Sequence, residues 1–182
     1  MVGVCKVNLD SKLFSDFLVV CELGSVVKGD GFFWQWGVFQ HLQTALSNRN
    51  VLEIACGTGY CTQVISETAS HITATDINEP MLEIARQKEY PRNNVVFKAS
   101  DMYALQPGGD FDALFGGFIW SHIPVQELEQ WLDHLHRLLK PGSHVVFTDN
   151  NFVAGSNTPL SSTDGHFFAK YSSKFAPFMI IA

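Results

Sequence analysis

Residues 51–62 read VLEIACGTGYCT. An apolar run, Val51-Leu52-Glu53-Ile54-Ala55, meets a segment of small residues that holds Gly57 and Gly59, and a helix-like pattern starts at once. A buried strand that turns tightly beside open backbone and feeds directly into a helix is a common way to hold a nucleotide-like ligand, whose polar groups lie against the turn. The rest of the chain decides which ligand.

Downstream of this stretch, strand and helix patterns alternate. Thr62 to Ser70 carries Val64, Ile65 and Thr68 at helical spacing, and Ile72 to Thr75 is a second strand. Asn78-Glu79-Pro80 starts a helix, with proline in the first turn, and Met81, Leu82, Ile84, Ala85 and Lys88 continue it. Val95 to Lys98 and Ala113 to Phe118 are further strands, β-branched, aromatic or apolar. Val125, Leu128, Trp131, Leu132, Leu135, Leu138 and Leu139 share one helical face, and Lys140-Pro141-Gly142 stops that helix before a fifth strand, Val145 to Asp149. Upstream, Phe32 to Leu46 predicts an amphipathic helix in spite of Gly37. Strands separated by helices predict an α/β fold: a Rossmann-like, doubly wound, mostly parallel sheet with helices on both faces.

Composition limits the function classes. The chain has 182 residues, 46% hydrophobic and 16% charged, in the range of a soluble globular domain. A formal net charge of −6 argues against nucleic acid as a partner, because phosphate binding needs a basic face. The four cysteines, Cys5, Cys21, Cys56 and Cys61, form no Cys-x-x-Cys pair and have no histidine cluster beside them, so no metal site is expected. Cys56 and Cys61 flank the glycine turn as small packing residues. The same cysteine usage fits a reducing cytoplasm. Leu13 to Val27 is apolar but interrupted by Asp16 and Glu22, too short and too charged for a membrane span, and no membrane partner is expected.

The residues with chemistry fall at the ends of the predicted strands. Ala55-Cys56-Gly57-Thr58-Gly59 follows the first strand, Asp76 the second, Asp101-Met102 the third, and Gly116-Gly117-Phe118 the fourth. In a parallel sheet these points converge on one cleft. Small residues let backbone approach a ligand. An acidic side chain after the second strand can accept two hydrogen bonds from ribose hydroxyls. Asp101 can accept from an adenine amino group, and Met102 can cover the flat face of the base. Each residue alone also fits a plain structural role, Asp76 as a helix cap and Asp101 as a loop residue. A dinucleotide turn requires a third glycine, Gly-x-Gly-x-x-Gly, and neither Tyr60 nor Thr62 supplies it. A nucleoside with an amino acid tail is the better match.

In this arrangement the chain resembles the class I S-adenosylmethionine-dependent methyltransferases of the small-molecule type. VLEIACGTGYCT resembles the first family motif, with Ala55 where glycine is commonest. ITATDINEPML resembles the second, FKASDMYAL the third, FDALFGGFIWSHIP the fourth, and LKPGSHVVFTDN the turn and strand that follow. The resemblance implies S-adenosylmethionine as cofactor, held by Glu53, Ala55, Gly57, Gly59, Asp76, Ile77, Asp101, Met102, Gly117 and Phe118, with the last two at its methionine end. It implies in-line transfer of a methyl group to a small-molecule acceptor. His122, after the fourth strand, is either a base for a protonated acceptor or a residue of the next helix start. Trp120 and Asn150 either line the acceptor pocket or pack and turn, and Trp34 and Trp36 either close over the cofactor or lie in the core.

Residues 31–150 are expected to be the cofactor-binding core, between an N-terminal segment, 1–30, without a family signature and a short C-terminal segment, 151–182. The family sheet has two further strands after the fifth. Residues 154–165 read as a polar loop, and the apolar Phe175 to Ala182 either forms one edge strand on the fifth or is a tail, which predicts a shortened sheet edge. Two other readings stay open at this stage: a non-catalytic relative that still binds the cofactor, and an NAD(P)-dependent oxidoreductase, which the absent third glycine disfavours. The oligomeric state is left open.

Overall fold

The structure, a computed structural model, describes the backbone of residues 21–22, 32–108, 110–119, 122–150, 160–163, 166–169 and 177–181, and side chains from Val38 to Thr148 except at Val125. The elements run β1 (Cys21–Glu22), α1 (Phe32–Leu46), β2 (Asn50–Ile54), α2 (Tyr60–Ser66), β3 (His71–Asp76), α3 (Glu79–Arg86), β4 (Val95–Ala99), β5 (Ala113–Gly117), α4 (Leu128–Arg137), β6 (His144–Asn150), β7 (Leu160–Thr163), β8 (His166–Ala169) and β9 (Pro177–Ile181).

The main sheet has the order β1-β9-β6-β5-β2-β3-β4, and β7 pairs with β8 apart from it. β2 to β6 are parallel, while β9 is antiparallel to β6 and β1 antiparallel to β9. The chain goes from β2 outward to β3 and β4, then crosses back to β5 on the other side of β2. Strand order therefore reverses at β2, and a cleft opens there above the carboxyl ends.

Alternation along the strands builds two cores, one on each face. Val51, Ile72, Phe115 and Val146 face α1 and α2, where Val38, Leu42, Leu46 and Ile65 meet them. Leu52, Ile54, Leu114 and Phe147 face α4, where Trp131, Leu132, Leu135 and Leu138 meet them. The Trp131 and Phe147 rings lie 5.8 Å apart at a tilt. α1 has the bounds expected from its periodicity, and α4 closes into a turn with Gly142 at φ 79°, the left-handed conformation that suits glycine.

Some elements differ from the sequence expectation. α2 begins at Tyr60, two residues early, because the glycine turn feeds it without a spacer. The long helix expected from Val125 is a 3-10 turn, Val125–Glu127, followed by α4. The fourth strand stops at Gly117, since Phe118 turns to φ 58°. Leu160–Thr163 is a strand where a polar loop was expected. Of the two readings for the C-terminal apolar run, the strand is found: Met179 pairs with Thr148 and Ile181 with Val146. β1, from the segment without a signature, covers the outer side of β9.

The opposite, amino edge of the sheet is fastened by a polar clamp. Arg49 donates from Nε to the Ala45 carbonyl at 3.2 Å, from Nη1 to the Asp112 carbonyl at 3.3 Å, and from Nη2 to His144 Nε2 at 2.8 Å. A guanidinium only donates, so His144 carries its proton on Nδ1, which lies 3.2 Å from the Ala45 carbonyl. The Asn50 amide donates to Asp112 Oδ1 at 2.8 Å. The starts of β2, β5 and β6 and the end of α1 are thereby tied together. With its end fixed there, α1 runs against the strands, and its first turns rise toward the carboxyl edge.

Candidate active site

The turn after β2 is built from left-handed backbone. Ala55 has φ 52°, Gly57 φ 54° and Gly59 φ 74°. Ala55 is an alanine in a conformation that disfavours a side chain, and such strain persists where the surroundings enforce it. Here the Cys56 amide donates to the Thr75 carbonyl and the Gly59 amide to the Cys56 carbonyl, each at 2.9 Å. A side chain on Gly59 would meet Tyr90 Oη at 2.7 Å and Ala85 Cβ at 3.0 Å, so this glycine lets the turn lie directly on α3. A side chain on Gly57 would meet nothing within 4 Å, so its need for glycine is conformational and leaves one side of the turn open.

Asp76, at the end of β3, ties the turn to α3. Its Oδ2 accepts from the Gly57 amide at 2.7 Å and its Oδ1 from the Asn78 amide at 2.8 Å. Asp76 thus fastens the turn before α3 and does not cap the helix, whose N-cap is Asn78 without a side-chain cap bond. Each carboxylate oxygen has a second lone pair, which leaves two acceptor positions for a diol. Asp101 is half-buried, and its Oδ1 accepts from the Tyr103 amide at 2.9 Å. Met102 and Ala55 both pack on the core beneath α4. Ile77 is 71% exposed and Phe118 41%, two apolar side chains on the outside of the carboxyl edge. The Phe118 amide donates to the Thr148 carbonyl at 2.6 Å and draws the end of β5 onto β6. Gly117 stands beside Thr148 in the register.

Beneath the turn lies Glu53, 1% exposed, with no hydrogen-bond partner on Oε2. Burial pushes its carboxyl up to about 8, and the neighbouring Thr62 hydroxyl, which closes no hydrogen bond of ordinary geometry, offsets part of the rise. The thiols of Cys56 and Cys61 are raised first by burial and then by the nearby Glu53 charge, so both are poor nucleophiles and pack as expected. A buried acid with one oxygen unpartnered, below a turn with an open side, suits a ligand that brings a cation. The amino acid end of S-adenosylmethionine carries one, and in this respect the residues present fit that cofactor.

His122 is exposed on the connection after β5, and its amide donates to the Ile119 carbonyl at 2.9 Å. Trp120 lies outside the described residues, as do the side chains of Asn150, Trp34 and Trp36. Among the described residues, no group of three or more His, Cys, Asp or Glu side chains converges as a metal site, and no helix is long and apolar enough to cross a membrane. Sequence reasoning missed Thr62 and Thr148, two buried hydroxyls without partners. A polar residue inside an apolar strand, as in HVVFTDN, was the available signal for the second.

A parallel sheet reversed at β2, a strained small-residue turn and acidic strand ends together define a nucleoside-binding α/β class. The Methyltransferase domain family matches residues 51–142, half of the chain, and the chain belongs to the class I S-adenosylmethionine-dependent methyltransferases. It is 31% identical over 105 residues to a demethylmenaquinone methyltransferase of Clavibacter sepedonicus, covering 57% of this chain and 42% of that protein. It is 34% identical over 102 residues to a malonyl-[acyl-carrier protein] O-methyltransferase of Pseudescherichia vulneris, covering 54% and 38%. The chain thus spans about two-fifths of the length of these relatives. Among solved structures, a DhpI–SAH complex superposes with a TM-score of 0.59 at 26% identity, covering 75% of this chain and 67% of that one. A Mesorhizobium loti methyltransferase superposes at 0.55 with 20% identity, covering 76% and 64%, a likeness of fold.

Proposed function

We propose that the chain binds S-adenosylmethionine across the carboxyl ends of β2, β3 and β5 and the turn after β4, and methylates a small-molecule acceptor by in-line displacement. The observation that carries this reading is Glu53, a buried acid with its Oε2 unpartnered, under a strained glycine turn whose Gly57 amide is held by Asp76. Glu53 would balance the ammonium of the amino acid end. The remaining acceptor positions of Asp76 would take the ribose hydroxyls, and Asp101 the adenine amino group, with Ile77 and Met102 against the base. Ala55, Gly57 and Gly59 would give backbone access along the tail, and Gly117 and Phe118 would border its methionine end.

When bound, this cofactor supplies an electrophilic methyl group on a cationic sulfur that departs neutral. The protein therefore needs no oxyanion hole, and its residues act mainly by alignment and by excluding water. An acceptor whose proton has a high pKa also needs a base, and His122, exposed after β5, is the candidate for it. Trp120 and Asn150 are the acceptor contacts that sequence order suggests. The relatives above are named for demethylmenaquinone and for a malonyl group carried on a protein, and an acceptor that is a small molecule or small acyl group is in keeping with both. Calorimetry with S-adenosylmethionine and S-adenosylhomocysteine beside NAD and NADP tests the reading. Binding of the adenosyl-sulfur ligands alone is expected, and binding of the nicotinamide pair alone would overturn it.

A further inference from the structure

The loop that joins α3 to β4 borders an open cavity of about 520 Å³. It lies at the outer edge of the main sheet, since β4 is the last strand in its order, and none of its residues is among those proposed to hold the cofactor. A space of this size suits a small organic ligand.

The charge of its lining stands out. The chain as a whole carries −6, yet two cations, Arg86 and Lys88, face this cavity against one acid, Glu89. Arg86 is already paired with Glu79, and Glu89 is exposed to solvent. Lys88 is half-buried, and among the described residues no carboxylate forms an ion pair with it. A partly desolvated ammonium without a counter-charge favours an anion that enters beside it. Tyr90, Pro91 and Val95 add apolar surface next to these charges. The Tyr90 ring is steadied from β4 by Phe97, with ring centroids 5.5 Å apart.

The same wall reaches the glycine turn. Tyr90 Oη donates to the Ala85 carbonyl at 2.8 Å and lies 2.7 Å from where a side chain on Gly59 would stand. One residue earlier, the Glu89 carbonyl accepts from Gln63 Nε2 of α2 at 3.4 Å. A ligand resting on Tyr90 therefore bears on the turn that starts α2.

We propose that this cavity is a second ligand site, for a small monoanion on a flat apolar body, of the aryl carboxylate class, and that its occupancy tightens the cofactor site through Tyr90. Lys88 meets the carboxylate, and Tyr90, Pro91 and Val95 meet the body. A turn braced by a held Tyr90 has less motion left to lose when the cofactor settles on it, so each ligand favours the other, and linkage makes the effect reciprocal. The coupling rests on the methyltransferase reading above, and the anion site does not.

The first test titrates benzoate, benzamide and acetate by NMR into the protein at constant ionic strength. Benzoate is expected to shift the amides of residues 86–95 and to bind about tenfold tighter than benzamide, which lacks the charge, and than acetate, which lacks the ring. Lys88→Gln is expected to melt as wild type does and to bind benzoate no better than benzamide, while Lys88→Arg keeps the preference. Equal binding of benzoate and benzamide, equal binding of benzoate and acetate, shifts confined to other residues, or a full preference in Lys88→Gln would each overturn the site. The second test measures S-adenosylhomocysteine affinity by calorimetry with and without saturating benzoate. Wild type is expected to gain about fivefold, the low end of coupling between sites, and Lys88→Gln nothing. Tyr90→Phe keeps the ring and loses the bond to Ala85, so it is expected to bind benzoate and to lose the gain. Unchanged or weaker affinity in wild type, or the full gain in Tyr90→Phe, would overturn the link through Tyr90. If S-adenosylhomocysteine fails to bind wild type with or without benzoate, the methyltransferase reading and the coupling fall together, and the NMR titration alone decides the anion site.

Discussion

Replacing Glu53 with glutamine removes a titrating group and leaves the shape of the side chain. The wild-type carboxyl is held near 8 in the folded protein by burial, against a usual value of 4.5. Between those values the folded state keeps a proton that the unfolded state has released, so stability falls as pH rises. The neutral form's full advantage is present below pH 4.5 and is lost as pH climbs to 8. At 1.36 kcal/mol per unit, about 3 kcal/mol is gone by pH 7 and about 5 kcal/mol above pH 8, as an upper bound. Glu53→Gln has no such slope. Since 1 kcal/mol moves the melting temperature of a domain this size by roughly 2–4 °C, the variant should melt close to wild type at pH 5 and above it by up to about 10–20 °C at pH 8.5. Comparing the two proteins cancels the titration of every other group. Cofactor binding adds a second readout: an ammonium beside Glu53 would ionise it, so binding of S-adenosylhomocysteine at pH 6.5 should release up to one proton from wild type and less from the variant. Calorimetry in two buffers of different ionisation enthalpy measures that difference. If the melting difference between the proteins does not change from pH 5 to 8.5, Glu53 does not titrate as its burial requires. If proton release is equal in both, it does not face the ammonium.

Asp76→Ala removes the acceptors for a diol and also frees the Gly57 amide, so it should weaken S-adenosylhomocysteine binding by about 1.5–3 kcal/mol; unchanged affinity in a folded variant refutes the assignment. Gly57→Val places a β-branched side chain at φ 54° on the open side of the turn, and should abolish binding by calorimetry with the far-ultraviolet circular dichroism retained. Gly59→Ala forces a methyl against Tyr90 and Ala85, so denaturant melts should show a loss of about 1–3 kcal/mol, part of it recovered by adding Tyr90→Phe. Truncation before Pro177 uncovers β6, which should lower the melting temperature and promote aggregation while leaving S-adenosylhomocysteine binding in the folded fraction.

The parts of the fold that sequence made legible are those whose burial is periodic. Phe32–Leu46 has the same bounds in both readings, and β2, β3 and β5 stand out as apolar runs because both their faces are covered. The break before α4 was hidden, since the apolar residues stay in phase from the 3-10 turn into the helix. β1 spans two residues and β7 four, too few to show a period. At the site, the strand-end order of the Asp76, Asp101 and glycine positions could be read from the chain. The bond from the Gly57 amide to Asp76 could not, because it depends on a backbone turn that only the packed structure fixes. Glu53 is one letter in an apolar strand, and its isolation becomes visible only when the helices that cover it are in place.

The clamp of Arg49, Asp112 and His144 lies at the far end of the strands from every residue proposed to touch the cofactor. Its bonds run to main-chain carbonyls, a ring nitrogen and the Asp112 carboxylate, all at this end, so they depend little on which side chains decorate the loops at the other edge. The sheet thus has a foundation and a workbench. Loops after β5 and β6 could be exchanged for those of another acceptor specificity with the foundation left intact, whereas a substitution at Arg49 would loosen three strands and a helix at once without altering a single ligand contact.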